Sequence, residues 1–353
     1  MQMLLKLDYN MELIRKHLVN FSPYSSARHE ADEIDGIFLD ANENPFNSNL
    51  FNRYPDPFHK NLKLALANYY GLNLNDFVCG NGSDEIIDLI IRLFAEPFED
   101  RVLALSPGYG MYKVICQLNQ VEFHEINLNQ DFNLDEFIVN QILEINPKIV
   151  FVVSPNNPTG NLINPKFIIQ LLNNLNGILV IDEAYIEFSS QDFWIKNFKN
   201  FNNLVLLRTF SKAYRMAGLR IGYALSNPQI IQNLYKIKLP YNINSYSQEQ
   251  AIQKLNDSKI KSDLEIIIKE RGNLISELNK IQEIIRVYPS DANFILIRLL
   301  NSKALFDHLK KRGIIVRDRS NLPMCENTLR ISIGNPQENI LLIKEIKKYF
   351  NYE

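Results

Sequence analysis

The sequence predicts an α/β protein: a large domain with a mostly parallel central sheet flanked by helices, a smaller α+β C-terminal domain, and an N-terminal arm. Three observations carry this expectation. Continuous apolar runs, among them Ile149–Val153 and residues 177–181 and 203–207, end in polar turns and alternate with helical patterns, as expected of strands covered on both faces. From about Pro240 that alternation weakens and helices and strands follow one another irregularly. The first 35 residues are polar and weakly periodic, like an arm laid over something else. A chain of 353 residues also exceeds what one core usually supports, roughly 250–300 residues. The expected boundaries are 1–50 for the arm and part of the small domain, 51–246 for the large domain and 247–353 for the small one.

Composition narrows the partners. A formal net charge of -2 without a long basic block leaves no electrostatic footprint for nucleic acid or an anionic membrane. The brief apolar patch near the start, broken by Lys6 and Asp8, is too short for a signal peptide or a span, so the expected location is the cytoplasm. Cys79, Cys116 and Cys325 are scattered, odd in number and without a CxxC pair, and the five histidines form no cluster. Neither a disulfide framework nor a metal site is expected. Small molecules are the expected partners.

Taken in order, residues 37–46 (Ile-Phe-Leu-Asp-Ala-Asn-Glu-Asn-Pro-Phe) read as a short strand ending in an Asn/Pro turn. Residues 53–57 (Arg-Tyr-Pro-Asp-Pro) read as extended, because a residue before proline is pushed out of the helical region. Residues 77–85 (Phe-Val-Cys-Gly-Asn-Gly-Ser-Asp-Glu) lead into a helix with Ile86, Ile90, Leu93 and Phe94 on one stripe. Gly80 and Gly82 let the backbone bend and Ser83 is the expected N-cap, so free N–H groups at the helix start offer an anion site. Asp84 and Glu85 are negative, so backbone amides would carry any phosphate contact. A strand over Arg101–Ser106 runs into a Pro-Gly turn bearing Tyr109, whose ring can stack on a flat group. After Ile149–Val153 the turn Ser154-Pro-Asn-Asn-Pro-Thr-Gly160 presents Asn157, an amide suited to a phenolate-type oxygen. The strand in 177–186 carries Asp182, able to pair with a protonated ring nitrogen, and Tyr185 beyond it. In the small domain, helices are expected over 248–281, 303–312 and 337–349, with strands over 293–299, 313–317 and 328–333. Arg317 and Arg330 stand on two of these strands, where an ion pair is the ordinary use of an arginine.

The most informative stretch is 208–223, Arg-Thr-Phe-Ser-Lys-Ala-Tyr-Arg-Met-Ala-Gly-Leu-Arg-Ile-Gly-Tyr. It follows an apolar run, so Ser211 and Lys212 fall at a strand's carboxyl end, where open α/β sheets bind ligands. A lysine beside cations and partly desolvated loses its proton more readily, and a neutral amine can form a Schiff base with an aldehyde. Arg215 and Arg220 are the expected cations, and Arg220 with Ser211 can also hold a phosphate. Lysine for an aldehyde and arginine plus serine for a phosphate suggest pyridoxal 5'-phosphate.

The Ser-Lys-x7-Arg spacing of this stretch resembles the lysine motif of the fold-type I, class II aminotransferases, and the order Asn157, Asp182, Tyr185, Lys212, Arg220 is similar to that family throughout. The resemblance implies pyridoxal 5'-phosphate on Lys212, with Gly82, Ser83, Asp84, Tyr109, Asn157, Asp182, Tyr185, Ser211 and Arg220 around it. Lys212, Asp182 and Tyr185 would be its catalytic residues. It also implies a homodimer in which Tyr54 reaches the cofactor phosphate of the other subunit. The segments Asp40-Ala-Asn-Glu-Asn-Pro45 and Arg53-Tyr-Pro-Asp-Pro57, with Arg317 and Arg330, are similar to the histidinol-phosphate aminotransferases over about residues 22–334. That similarity implies amino transfer from L-histidinol phosphate to 2-oxoglutarate, giving imidazole-acetol phosphate and L-glutamate, in histidine biosynthesis. Tyr24, Asn157, Arg317 and Arg330 would then contact the substrate, two converging arginines being suited to a dianion. The alternatives are activities like those of threonine-phosphate decarboxylase, from which the Asn-Glu-Asn-Pro and Tyr-Pro-Asp-Pro segments lean away, or of an aromatic amino acid aminotransferase. No motif for the imidazole ring is evident.

Overall fold

The computed structural model describes residues 12–24, 36–46 and 51–352. A seven-stranded sheet in the order β1-β7-β6-β5-β4-β2-β3 forms the large domain. Its strands are β1 (Phe77–Gly80), β2 (Arg101–Ser106), β3 (Glu122–Asn127), β4 (Ile149–Val153), β5 (Ile178–Asp182), β6 (Leu204–Thr209) and β7 (Gly222–Leu225). Strands β3, β2, β4, β5 and β6 run parallel, while β7 is antiparallel to both β6 and β1. The connection explains the exception. A parallel neighbour needs a crossover, usually an α-helix, whereas the 210–221 loop holds only the short turn Ala217–Leu219 and brings the chain straight back beside β6. That loop carries Lys212.

Strands β4, β5 and β6 are buried along their whole length, which explains their continuous apolar runs. One face of the sheet packs on the stripe of the helix Ser83–Phe94, and Leu13 and Ile14 of the arm join this cluster. Arg15 anchors the arm further through a 3.0 Å ion pair with Glu96. The opposite face continues into the small domain through Tyr288, Phe294 and Leu296.

The small domain holds an antiparallel sheet in the order β10-β11-β9-β8, formed by β8 (Ile284–Val287), β9 (Phe294–Leu299), β10 (Arg317–Asp318) and β11 (Thr328–Ser332). The helices Lys259–Leu278, Ser302–Lys311 and Pro336–Tyr349 bury their apolar sides against it. It is tied to the large domain at the turn after β4, where the Asp291 N–H donates to the Gly160 carbonyl at 2.7 Å. A Cβ on Gly160 would come within 2.4 Å of Ser290 Oγ, so this contact requires glycine.

Three sequence expectations change. Residues 37–46 form no strand among the described residues; Ile37 and Leu39 are 90% and 85% exposed, with neither a neighbouring edge nor a covering layer. The strand expected over 313–317 is confined to Arg317–Asp318, because the chain first turns at Gly313 in the left-handed region (φ 77°) after the helix Ser302–Lys311. The N-cap of the helix Ser83–Phe94 is Gly82, at φ 82°, and Ser83 is already helical. Among the described residues no helix is long and apolar enough to cross a membrane, and no group of side chains could hold a metal ion. The three cysteines are free and buried.

Candidate active site

The carboxyl ends of β1, β2, β4, β5 and β6 open into one pocket. Each strand contributes through the turn that follows it: Ser83 and Asp84 after β1, Tyr109 after β2, Asn157 after β4, Asp182 and Tyr185 at the end of β5, Ser211 and Lys212 after β6. Arg220, at the far end of the Lys212 loop, completes the lining. Nine of the sequence-predicted residues therefore meet in one place.

The floor is electrostatically unusual. Asp182 is buried, accepts a 2.7 Å hydrogen bond from Tyr112 Oη and a 3.1 Å bond from the Ala184 N–H, and makes no ion pair among the described residues. Burial pushes its carboxyl pKa up, against the opposing pull of the Tyr112 and Ala184 hydrogen bonds. Lys212 opens towards solvent through the pocket, with its Nζ 5.8 Å from the centre of the Tyr185 ring. Its pKa is lowered, first by desolvation and then by the nearby Arg330, with Arg220 adding to the effect and Asp182 opposing it. The expected contribution of Arg215 is corrected here: its guanidinium is paired with Asp263, away from the pocket. The second cation comes instead from the small domain, a long-range placement that no local spacing signals.

At one side Arg220 Nη1 lies 3.4 Å from Ser211 Oγ, and Arg220 Nη2 lies 3.6 Å from Asp84 Oδ2. Gly82 makes this possible, since a Cβ there would sit 2.6 Å from Arg220 Nη2. Gly222 of β7 lies so close behind that its Cβ would meet the Ser83 nitrogen at 2.3 Å. The start of a helix, a guanidinium and a hydroxyl thus converge, with the donors a phosphate needs. The Asp84 carboxylate also accepts from Tyr109 Oη at 3.0 Å, which ties the aromatic ring to the same corner.

At the other side Arg330 of β11 donates from Nη1 to Asn157 Oδ1 at 2.5 Å, and Asn157 Nδ2 lies 3.4 Å from Tyr185 Oη. Arg317 pairs in register with Arg330 across the β10–β11 ladder, although it is exposed. Tyr24 and Tyr54 are not brought to this pocket within one chain. Tyr24 is 76% exposed beside Pro57 and Tyr235. Tyr54 stacks on Tyr241 at 4.5 Å, its backbone N–H held by Glu43 Oε1 at 2.6 Å. Glu43 also pairs with Arg53 at 2.6 Å, so the Asn-Glu-Asn-Pro and Arg-Tyr-Pro segments are one physical unit.

Sequence reading passed over Tyr112, Thr209 and Arg319. Tyr112 lies in the helix Met111–Leu118 that follows the Tyr109 turn, and its contact with Asp182, seventy positions away, has no local signal. The Thr209 hydroxyl accepts from the Ser211 N–H at 3.1 Å and donates to the Ile221 carbonyl at 3.2 Å, bracing the lysine loop. Arg319 lies two residues beyond Arg317, the period of an extended chain.

Comparison with known proteins identifies the family. The family model of aminotransferase class I and II matches residues 35–346. The histidinol-phosphate aminotransferase of Flavobacterium psychrophilum is 46% identical over 339 residues, covering 95% of this chain and 97% of its own. The crystal structure of the histidinol-phosphate aminotransferase from Clostridium acetobutylicum superposes with a TM-score of 0.78 at 30% identity, over 85% of this chain and 91% of that one. The histidinol-phosphate aminotransferase from Sinorhizobium meliloti, solved in complex with pyridoxal-5'-phosphate, gives a TM-score of 0.76 at 26% identity, over 85% of this chain and 83% of that one. The chain belongs to the class I and II aminotransferases, within the histidinol-phosphate aminotransferase family.

Proposed function

We propose that the chain transfers the amino group of L-histidinol phosphate to 2-oxoglutarate in histidine biosynthesis, using pyridoxal 5'-phosphate. The observation that carries this reading is the buried Asp182 carboxylate, without an ion-pair partner among the described residues, on the floor of a pocket that also holds a partly desolvated lysine. Pyridoxal phosphate fits that donor set: Asp182 suits a protonated ring nitrogen, Lys212 an aldehyde, and Arg220, Ser211 and the helix start at Ser83 a phosphate. When bound, the cofactor supplies an aldehyde that links to amines and a ring that withdraws electrons from the substrate carbon. The chain does the rest. Lys212 Nζ, whose pKa is lowered, would take the proton from the amine-bearing carbon of the substrate and deliver it to the former aldehyde carbon of the cofactor. Asp182, braced by Tyr112 and the Ala184 N–H, would sit opposite a positively charged ring nitrogen. Asn157 and Tyr185 would hold the ring oxygen of the cofactor, and Tyr109 would cover the ring. Arg330 and Arg317 would receive the anionic end of the substrate.

The working unit in this reading is a homodimer, with Tyr54 of each subunit directed to the other's phosphate corner. Ile37, Leu39, Phe46 and Phe51, in the segments that precede Tyr54, are exposed apolar residues that such an interface would cover. Hybrids of Tyr54→Phe and Lys212→Ala subunits should regain one intact site each; hybrids no more active than either parent refute the sharing. The three buried thiols suit a reducing compartment such as the cytoplasm.

Visible absorption of the cofactor-loaded protein tests the activity. L-Histidinol phosphate alone should bleach the yellow band, and 2-oxoglutarate should restore it. A band that does not respond removes this substrate, and carbon dioxide release would then favour the decarboxylase alternative.

A further inference from the structure

Beyond the pair Arg317 and Arg330, the small sheet offers a third cation. Arg317 lies opposite Arg330 in the antiparallel ladder, and the Arg319 N–H donates to the Thr328 carbonyl at 3.1 Å, one step further along the same ladder. The two-residue period of a strand sends the side chains of Arg317, Arg319 and Arg330 to the same face. Asp318 points the other way and is occupied by Ser320, whose N–H and hydroxyl donate to it at 2.9 and 2.6 Å. None of the three arginines makes an ion pair among the described residues, and the Nε atoms of Arg319 and Arg330 are buried without a hydrogen-bond partner. Arg330 is oriented by Asn157 and by the Phe294 ring, 5.2 Å from its guanidinium carbon. Burial first, and then the neighbouring Arg330 and Arg317, lower the Arg319 pKa to about 10, while Tyr185 of the pocket opposes them. Three like charges gathered on one strand face with no carboxylate between them are costly unless an anion completes the group.

We propose that Arg319 is a specificity-determining residue: the third cation of an anion site shared with Arg317 and Arg330, which makes the enzyme favour a dianionic phosphomonoester over a singly charged carboxylate. The inference rests on the transaminase reading above and deepens it. Two cations accept either anion, since both substrates must pass through one site. A third adds attraction that scales with the charge of the ligand, so it favours the phosphate end of one substrate over the distal carboxylate of the other.

The test uses the cofactor-loaded full chain as wild type, Arg319→Gln and Arg319→Lys. For each, kcat and KM are measured with L-histidinol phosphate and, in the opposite half-reaction, with L-glutamate. Removing the charge should lower kcat/KM for the phosphomonoester roughly tenfold or more, mainly through KM, with a change of less than about threefold for glutamate. Arg319→Lys should recover most of the difference. An equal loss for both substrates, no loss for either, or no recovery with lysine overturns the proposal while leaving the transaminase reading intact. Wild type that does not turn over histidinol phosphate sinks that reading and this inference with it.

Discussion

Two neighbouring carboxylates at the end of β5 have opposite fates. Asp182 and Glu183 are consecutive, both buried, and point to opposite faces of the same strand end. Glu183 is met by Arg208 of the adjacent β6 at 2.8 Å, and Arg208 is held further by Asp192 at 2.7 Å and by Tyr70 Oη at 3.1 Å. This is a completed ion pair: burial alone would raise the Glu183 pKa and lower that of Arg208, and their mutual attraction opposes both shifts. Asp182 receives only neutral donors and faces a lysine that desolvation inclines towards neutrality. Where the protein supplies the counter-charge itself, the group serves the fold. Where it withholds one, a ligand is expected to bring it.

The largest test of this contrast is Lys212→Ala. Turnover should fall by about three orders of magnitude or more, because one amine both tethers and moves the proton, while cofactor binding persists partly through the phosphate contacts. Single-turnover rates and equilibrium dialysis of the cofactor separate the two effects. Arg208→Gln attacks the other side of the strand: leaving Glu183 buried and unpaired should cost about 3–5 kcal/mol of stability in urea unfolding. Activity per folded, cofactor-loaded molecule should be nearly unchanged. A variant that folds normally but is inactive would mean the two faces are not separable in this way.

Asp182→Asn is expected to lower kcat roughly hundredfold by removing the charge opposite the ring nitrogen, with unfolding of the apoprotein unchanged or slightly harder. A clear loss of apoprotein stability would show that Asp182 is structural after all. The smallest effect concerns a third arrangement, a buried base kept neutral. His59 is fully buried, and desolvation, followed by Lys238 and Lys63, lowers its pKa from 6.5 to about 3 against an opposing contact with the Asn242 side chain. As pH falls below 6.5 the unfolded chain takes up a proton that the folded chain refuses until about pH 3, so stability declines across that window. The decline should reach about 2 kcal/mol near pH 5. Urea titrations of His59→Asn, which suits the left-handed backbone there, should show a shallower pH dependence than wild type.

Much of the large domain was legible in the sequence because its signals are local. An apolar run followed by a Gly, Pro or Asn turn marks both a buried strand and the place where its carboxyl end must deliver a side chain, so Asn157, Asp182 and Lys212 could be picked out one strand at a time. Strand β7 was hidden inside the lysine stretch, since four residues carry no periodicity of their own. The segment 37–46 has the composition of a strand but no edge to join within the described residues. What local pattern determined, then, was which residues each strand end would present. Tertiary structure alone decided which groups answer one another: Arg330 rather than Arg215 near Lys212, Tyr112 under Asp182, Arg208 against Glu183. Charge interactions act through space between groups far apart in sequence, and their strength depends on burial that only the packed fold creates.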